Sequence, residues 1–116
     1  MIKFYGYKKC STCLKAKKLL DHSGKIYKNI EITENPPSLS ELKKLIKRGA
    51  ELKHLLNTSG VQYRELGMKD KIQTYAQDDI LRLLSQNGKL VKRPIVISAE
   101  KHTIGFKEDI FRQNWL

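Results

Sequence analysis

The sequence is poor in cysteine, proline, tryptophan and acid. Of 116 residues two are Cys, three Pro and one Trp, and 12 acidic residues stand against 23 lysines and arginines. Two cysteines, Cys10 and Cys13, are too few for a disulfide-stapled secreted scaffold, which carries roughly four or more. No apolar run reaches the ~18 residues of a membrane span. The opening Met1-Ile2-Lys3-Phe4-Tyr5-Gly6 has no signal-peptide core. The chain is therefore expected in the cytoplasm, with no membrane partner. Thiols stay reduced there, and a cysteine pair is redox-active or metal-binding more often than structural. The scarcity of acid leaves a formal charge of +11, which suits acidic partners or anionic substrates without choosing between them. The basic excess is densest in residues 1–28, which hold eight Lys and one Asp and contain both cysteines.

What is present is an ordinary globular composition, 40% apolar and 30% charged, in a length that suits one domain. Residues 2–5 read as a strand and residues 6–9 as a loop. Ser11 or Thr12 could cap a helix running to about His22, with Cys13, Ala16, Leu19 and Leu20 on one face. Gly24 is a helix stop. Residues 26–32 read as a second strand, with Ile26, Ile30 and Ile32 on one face, giving a β-α-β unit with parallel strands. After Pro36-Pro37, Ser38 or Ser40 can cap a helix to about Lys47, with Leu39, Leu42, Leu45 and Ile46 as its apolar stripe. Residues 51–75 are weakly patterned helical pieces broken by Gly60 and Gly67. Asp78 or Asp79 starts a further helix that Asn87-Gly88 ends. Residues 94–97 and 103–106 form a hairpin, and residues 108–115 a last helix with Phe111 and Trp115 one turn apart. The order β-α-β, helical stretch, β-β-α fits an α/β thioredoxin-like fold with a four-stranded mixed sheet. It is read as a single domain, 1–116, with its core in about 1–34 and 89–116 and a helical insertion over about 35–88.

Cys10-Ser11-Thr12-Cys13 lies between the first strand and the first helix. First-turn N–H groups have no intrahelical partner, and the helix dipole adds positive charge at that end. Both favour thiolate over thiol, and Lys8 and Lys9 push the same way. Cys10, at or before the cap, is the expected nucleophile. Cys13, one turn in and facing partly inward, is the expected resolving thiol. A cysteine can also be a small core hydrophobe, and C-x-x-C by itself is a weak signal; its place between strand and helix strengthens it. No metal site is expected, because His22, His54 and His102 lack zinc-ligand spacing. Lys15, Lys17, Lys18, Lys25 and Lys28 could meet phosphates, but no nucleic-acid motif accompanies them. They read as a solvated face, without direct nucleic-acid binding.

Arg93-Pro94 opens the third strand. In thioredoxin-like folds the proline at this place is characteristically cis and faces the C-x-x-C, which puts Arg93 beside the cysteines. A guanidinium there can bind an oxyanion or stabilise a thiolate; the plainer alternative is a surface arginine.

Six stretches together resemble the arsenate reductase (ArsC)/Spx family. They are Tyr7-Lys8-Lys9-Cys10-Ser11-Thr12-Cys13, Glu34-Asn35-Pro36-Pro37-Ser38, Leu55-Leu56-Asn57-Thr58-Ser59-Gly60, Tyr63-Arg64-Glu65-Leu66-Gly67, Lys92-Arg93-Pro94-Ile95-Val96 and Gly105-Phe106-Lys107. The likeness spans essentially the whole chain and is strongest to the short arsenate-reductase-like bacterial branch. It implies a thiol–disulfide oxidoreductase in which Cys10 attacks, Cys13 resolves and Arg93 holds an anion. Ser11, Thr12, Pro94, Lys8 and Lys9 would support the site. The resemblance implies no bound cofactor, a small oxyanion or disulfide substrate, and reducing equivalents from thioredoxin or from glutathione and glutaredoxin. Asn57 stands where arsenate reductases carry a second substrate-binding arginine. Lys107 lies near the place of a third, and Gly6 replaces a histidine four residues before the cysteine. Losing bidentate guanidinium contacts weakens oxyanion binding. The alternative implied by the Spx branch is a redox-sensing transcription regulator that binds the RNA polymerase α subunit.

Overall fold

The computed structural model describes all 116 residues. They divide into two compact units, one formed by residues 1–32 with 93–116 and the other by residues 33–92.

The first unit carries one sheet of four strands in the order β2-β1-β3-β4. Strand β1 is Ile2–Gly6, β2 is Tyr27–Glu31, β3 is Ile95–Ile97 and β4 is His102–Ile104. The β1–β2 pair is parallel, with Ile2 opposite Tyr27 and Gly6 opposite Glu31. The β1–β3 and β3–β4 pairs are antiparallel, so the sheet is mixed. Helix α1, Ser11–His22, makes the crossover between the parallel strands, and α6, Glu108–Trp115, follows β4. Both bury one stripe against one sheet face. Phe4, Cys13, Ala16, Leu20, Val96, Phe111 and Trp115 form that core. Trp115 is wholly buried, and its indole N–H donates to Thr103 Oγ1 at 2.9 Å. This is the thioredoxin-like fold.

Strand β2 is shorter than residues 26–32. Ile26 precedes the first β1–β2 partner and is 82% exposed, while Ile32 is buried beyond the strand end. The expected common face of Ile26, Ile30 and Ile32 is thus corrected. Tyr27, Asn29 and Glu31 lie opposite Ile2, Phe4 and Gly6, and in a parallel pair opposed residues share a face. The hairpin strands are also shorter than expected: the β3–β4 register ends at Ile95–Ile104, with one further bond from the Gly105 amide to the Pro94 carbonyl at 2.8 Å, and Pro94 has no N–H to extend the ladder, while β4 begins one residue early, at His102.

The second unit is helical. Its helices are α2 (Leu39–Lys47), α3 (Val61–Glu65), α4 (Met68–Thr74) and α5 (Gln77–Gln86), with 3-10 turns at Leu52–Leu55 and Gly88–Leu90. Ser38 caps α2, accepting from the Glu41 amide at 3.1 Å. Leu42 and Leu45 of α2 and Ile80, Leu81 and Leu84 of α5 are buried. Helix α5 starts at Gln77, with Ala76 at the cap. Asp78 and Asp79 sit in its first turn, where negative charge suits the helix dipole, rather than at the cap itself. An isolated bridge pairs Leu56 with Val91.

Candidate functional site

The loop after β1 turns tightly into α1: the Cys10 amide donates to the Tyr7 carbonyl at 3.0 Å. Cys10 is then itself the N-cap, with extended backbone (φ −102°, ψ 113°), and its sulfur accepts from the Cys13 amide at 3.4 Å. The cap expected from Ser11 or Thr12 is therefore supplied one residue earlier, by a sulfur in the place of the usual oxygen. Ser11 is the exposed first residue of α1. A thiolate in this position satisfies a first-turn donor and meets the positive end of the dipole.

Both thiols are free; Cys10 is partly exposed and Cys13 buried. Their environments split their acidities. Burial pushes Cys10 up, but hydrogen bonds from the Cys13 thiol and amide and the Thr12 hydroxyl, with the Arg93 charge, outweigh it, so its pKa is lowered. Burial pushes Cys13 up strongly, and the hydrogen bond and negative charge of Cys10 add to it. The Tyr7 backbone and Arg93 oppose them, yet the thiol is pushed up to about 12. One sulfur is shifted toward the thiolate and the other toward the protonated thiol.

Arg93 is joined to Pro94 by a cis peptide bond, and Pro94 is buried. The guanidinium lies 4.9 Å from the centre of the Tyr7 ring, a cation–π stack. Tyr7 thus holds the arginine that acts on both cysteines, a role for which the sequence offered no signal beyond an aromatic three residues before Cys10.

The other expected residues are spread wider. Lys8 and Lys9 are exposed; Lys8 gives its amide N–H to Glu31 Oε1 at 3.2 Å. Lys107 is exposed at the N-cap of α6, where its carbonyl accepts from the Phe111 amide at 2.8 Å. Asn57 belongs to the second unit; its side chain donates to the Lys89 carbonyl at 3.4 Å and accepts from Ser59. No group of three His, Cys, Asp or Glu side chains is arranged to hold a metal ion. A cleft of about 180 Å³ opens beside α1, lined by Gly6, Tyr7, Lys8, Cys13, Lys17 and Glu31 among others. Glu31 escaped the sequence reading because its place on the α1 side of the sheet follows only from the β1–β2 register.

The family model described as the ArsC family matches residues 5–114. The chain belongs to the ArsC family. It is 51% identical over 113 residues to the Bacillus subtilis protein called "Uncharacterized protein YusI", covering 97% of this chain and 96% of that one. It is 28% identical over 116 residues to the global transcriptional regulator Spx of Enterococcus faecalis, covering 97% of this chain and 85% of the regulator. A crystal structure of "a possible arsenate reductase from Streptococcus mutans UA159" superposes with a TM-score of 0.87 at 43% identity, over 95% of this chain and 97% of that one. This membership of the ArsC family supports a thiol-oxidoreductase-like or Spx-like function. No helix is long and apolar enough to cross a membrane.

Proposed function

We propose that this member of the ArsC family is a cytoplasmic thiol–disulfide oxidoreductase resembling arsenate reductase, with Cys10 and Cys13 as its redox pair. The observation that carries the reading is the placement of two neighbouring sulfurs: Cys10, partly exposed, caps α1 and accepts from the Cys13 amide, while Cys13 is buried, which lowers the pKa of the first and raises that of the second to about 12. A thiol attacks as the thiolate, so a lowered pKa raises the reactive fraction at Cys10, and a partner that keeps its proton leaves the first attack to Cys10.

On a disulfide substrate the Cys10 thiolate attacks one sulfur. A bond forms between Cys10 Sγ and that sulfur, the substrate S–S bond breaks, and the other half leaves as a thiolate. Cys13 then attacks Cys10 Sγ, giving a Cys10–Cys13 disulfide and releasing the second thiolate. The substrate gains two electrons and the protein loses two. Thioredoxin, or glutathione with glutaredoxin, returns them by the same exchange. Arg93 and the first-turn amides stabilise the anion at Cys10 and would orient an oxyanion substrate.

Turnover of arsenate and of a model disulfide, each with thioredoxin or with glutathione and glutaredoxin, tests the proposal. Activity on at least one substrate, abolished in Cys10→Ser, is expected; no turnover of either overturns it. The likeness to Spx favours one further reading, a redox-sensing regulator that binds the RNA polymerase α subunit. In that case substrate turnover is absent, and the protein captures the α subunit in a way that depends on the oxidation state of Cys10 and Cys13.

A further inference from the structure

Tyr5 of β1 stands opposite Ile95 of β3 in their antiparallel pair. Continued two residues past that pair, the same register points Tyr7 at Arg93, just beyond the end of the ladder. Directly opposed side chains on antiparallel strands are near neighbours. Here the guanidinium carbon lies 4.9 Å from the centre of the Tyr7 ring, and both side chains are half-buried.

Tyr7 is fixed from several sides. Its carbonyl accepts the Cys10 amide at 3.0 Å, its backbone also bonds to Cys13, and its side chain packs against the core of the first unit. An arginine has many rotamers to lose, and a ring held in this way selects those that lie over it. Of the two arginines in the first unit, Arg112 is exposed and paired with Glu108 at 3.0 Å. Arg93 is the one whose charge reaches both sulfurs.

Stacking engages the flat face of a guanidinium and leaves its N–H donors in the plane, where they match the two oxygens of a carboxylate. A disulfide that reaches Cys10 with a carboxylate close to its sulfur atoms meets this fork. A neutral disulfide has no group for it, and a cationic one is repelled. Lys8 and Lys9 are exposed; they are point charges on flexible stems that salt screens, so they attract anions without fixing them.

We propose that Tyr7 is a positioning residue that sets the substrate class: its ring holds Arg93 so that Cys10 attacks disulfides carrying a carboxylate beside the S–S bond in preference to neutral or cationic ones. The proposal rests on the dithiol reading above. In the step concerned, Cys10 Sγ bonds to one substrate sulfur as the substrate S–S bond breaks, and the other half leaves with the electron pair as a thiolate. Arg93 holds the carboxylate and exchanges no proton.

Reaction of the reduced protein with dithiodipropionate, hydroxyethyl disulfide and cystamine, which are anionic, neutral and cationic, tests this. Loss of the dithiol form is followed by mass spectrometry after acid quench, at about 0.15 M salt. Each rate is divided by that of free mercaptoethanol with the same disulfide. A change in the thiolate fraction of Cys10 scales all three rates alike, so the ratio of anionic to neutral rate reads substrate selection alone. In the wild type that ratio is at least about tenfold, as a charge-assisted bond supplies, and cystamine is slowest. Tyr7→Phe, which keeps the ring, keeps the ratio. Tyr7→Leu lowers it at least about threefold, Arg93→Met lowers it as far or further, and Tyr7→Leu in the Arg93→Met background lowers it no further. Arg93→Lys, which keeps the charge and loses the flat stack, also lowers it and decides the matter even where Tyr7→Leu fails to fold. A wild-type ratio near one, a ratio that Tyr7→Leu or Arg93→Lys leaves unchanged, or a fall with Tyr7→Leu that persists without Arg93 overturns the proposal. If none of the three disulfides oxidises the wild type, the dithiol reading itself falls, and the proposal with it.

Discussion

Gly6→Ala puts the packing beneath the site to a quantitative test. Gly6 is not among the glycines with positive φ, so alanine fits the backbone. Relief of glycine's excess chain entropy should then stabilise the strand by roughly 0.5–1 kcal/mol. The added Cβ, however, would stand 2.5 Å from Phe4 Cε1 and 3.3 Å from Cδ1, well inside ordinary contact. Phe4 is 1% exposed and packed among Cys13, Leu20 and Trp115, so its ring can give way only toward the cleft that it helps to line. Overpacking of a core costs about 1–3 kcal/mol and outweighs the entropy gain. The net loss is about 0.5–2 kcal/mol, and at about 4 °C per kcal/mol for a chain of this size Tm falls by about 2–8 °C, read by circular dichroism melting and checked against the urea midpoint. The same substitution in a Phe4→Leu background, where the clashing ring edge is gone, should cost at least about 1 kcal/mol less; that difference is the coupling of the two sites. A Gly6→Ala protein as stable as the wild type, or the same cost in both backgrounds, would refute the reasoning.

Further outcomes follow from other contacts. Thr103→Val strands the buried Trp115 indole N–H and costs about 1–3 kcal/mol by urea denaturation, while Thr103→Ser restores most of it; an unchanged midpoint in the valine variant contradicts the bond. Ser38→Ala removes the α2 cap and lowers stability by about 1 kcal/mol, an effect that Ser38→Asp should not show. Arg93→Met removes a charge that lowers Cys10, so the thiolate survives to a less acid pH than in the wild type. Alkylation by iodoacetamide therefore slows several-fold below the ordinary thiol value of about 8.5 and is unchanged well above it; a uniform slowing at every pH points instead to blocked access.

Much of the architecture was legible because local chemistry and tertiary context agree. The stripe of α2 and its Ser38 cap, the helix over residues 108–115, and the strand–C-x-x-C–helix junction all follow from spacing alone. What escaped was set by register or by competition among neighbours. Ile26 has a strand-forming side chain, but it precedes the first pairing residue and stays in solvent. Cys10 takes the cap from Ser11 and Thr12 because the chain turns at Tyr7, and a thiol is not a usual capping group. The basic run of residues 1–28 suggested that Lys8 and Lys9 sit against the thiol. Both are exposed, and the cation acting on Cys10 is Arg93, some 80 residues away in sequence, stacked on Tyr7. Glu31 needs the Gly6 pairing to be found at all.

The central claim is the unequal acidity of the two thiols, and far-ultraviolet absorbance of the thiolate measures it directly. Titration of the reduced protein should show one thiolate appearing below the ordinary value of about 8.5, absent in Cys10→Ser, with the second thiol still protonated at about pH 10, as its shift to about 12 requires. Two thiols that ionise together near the ordinary value would contradict the account.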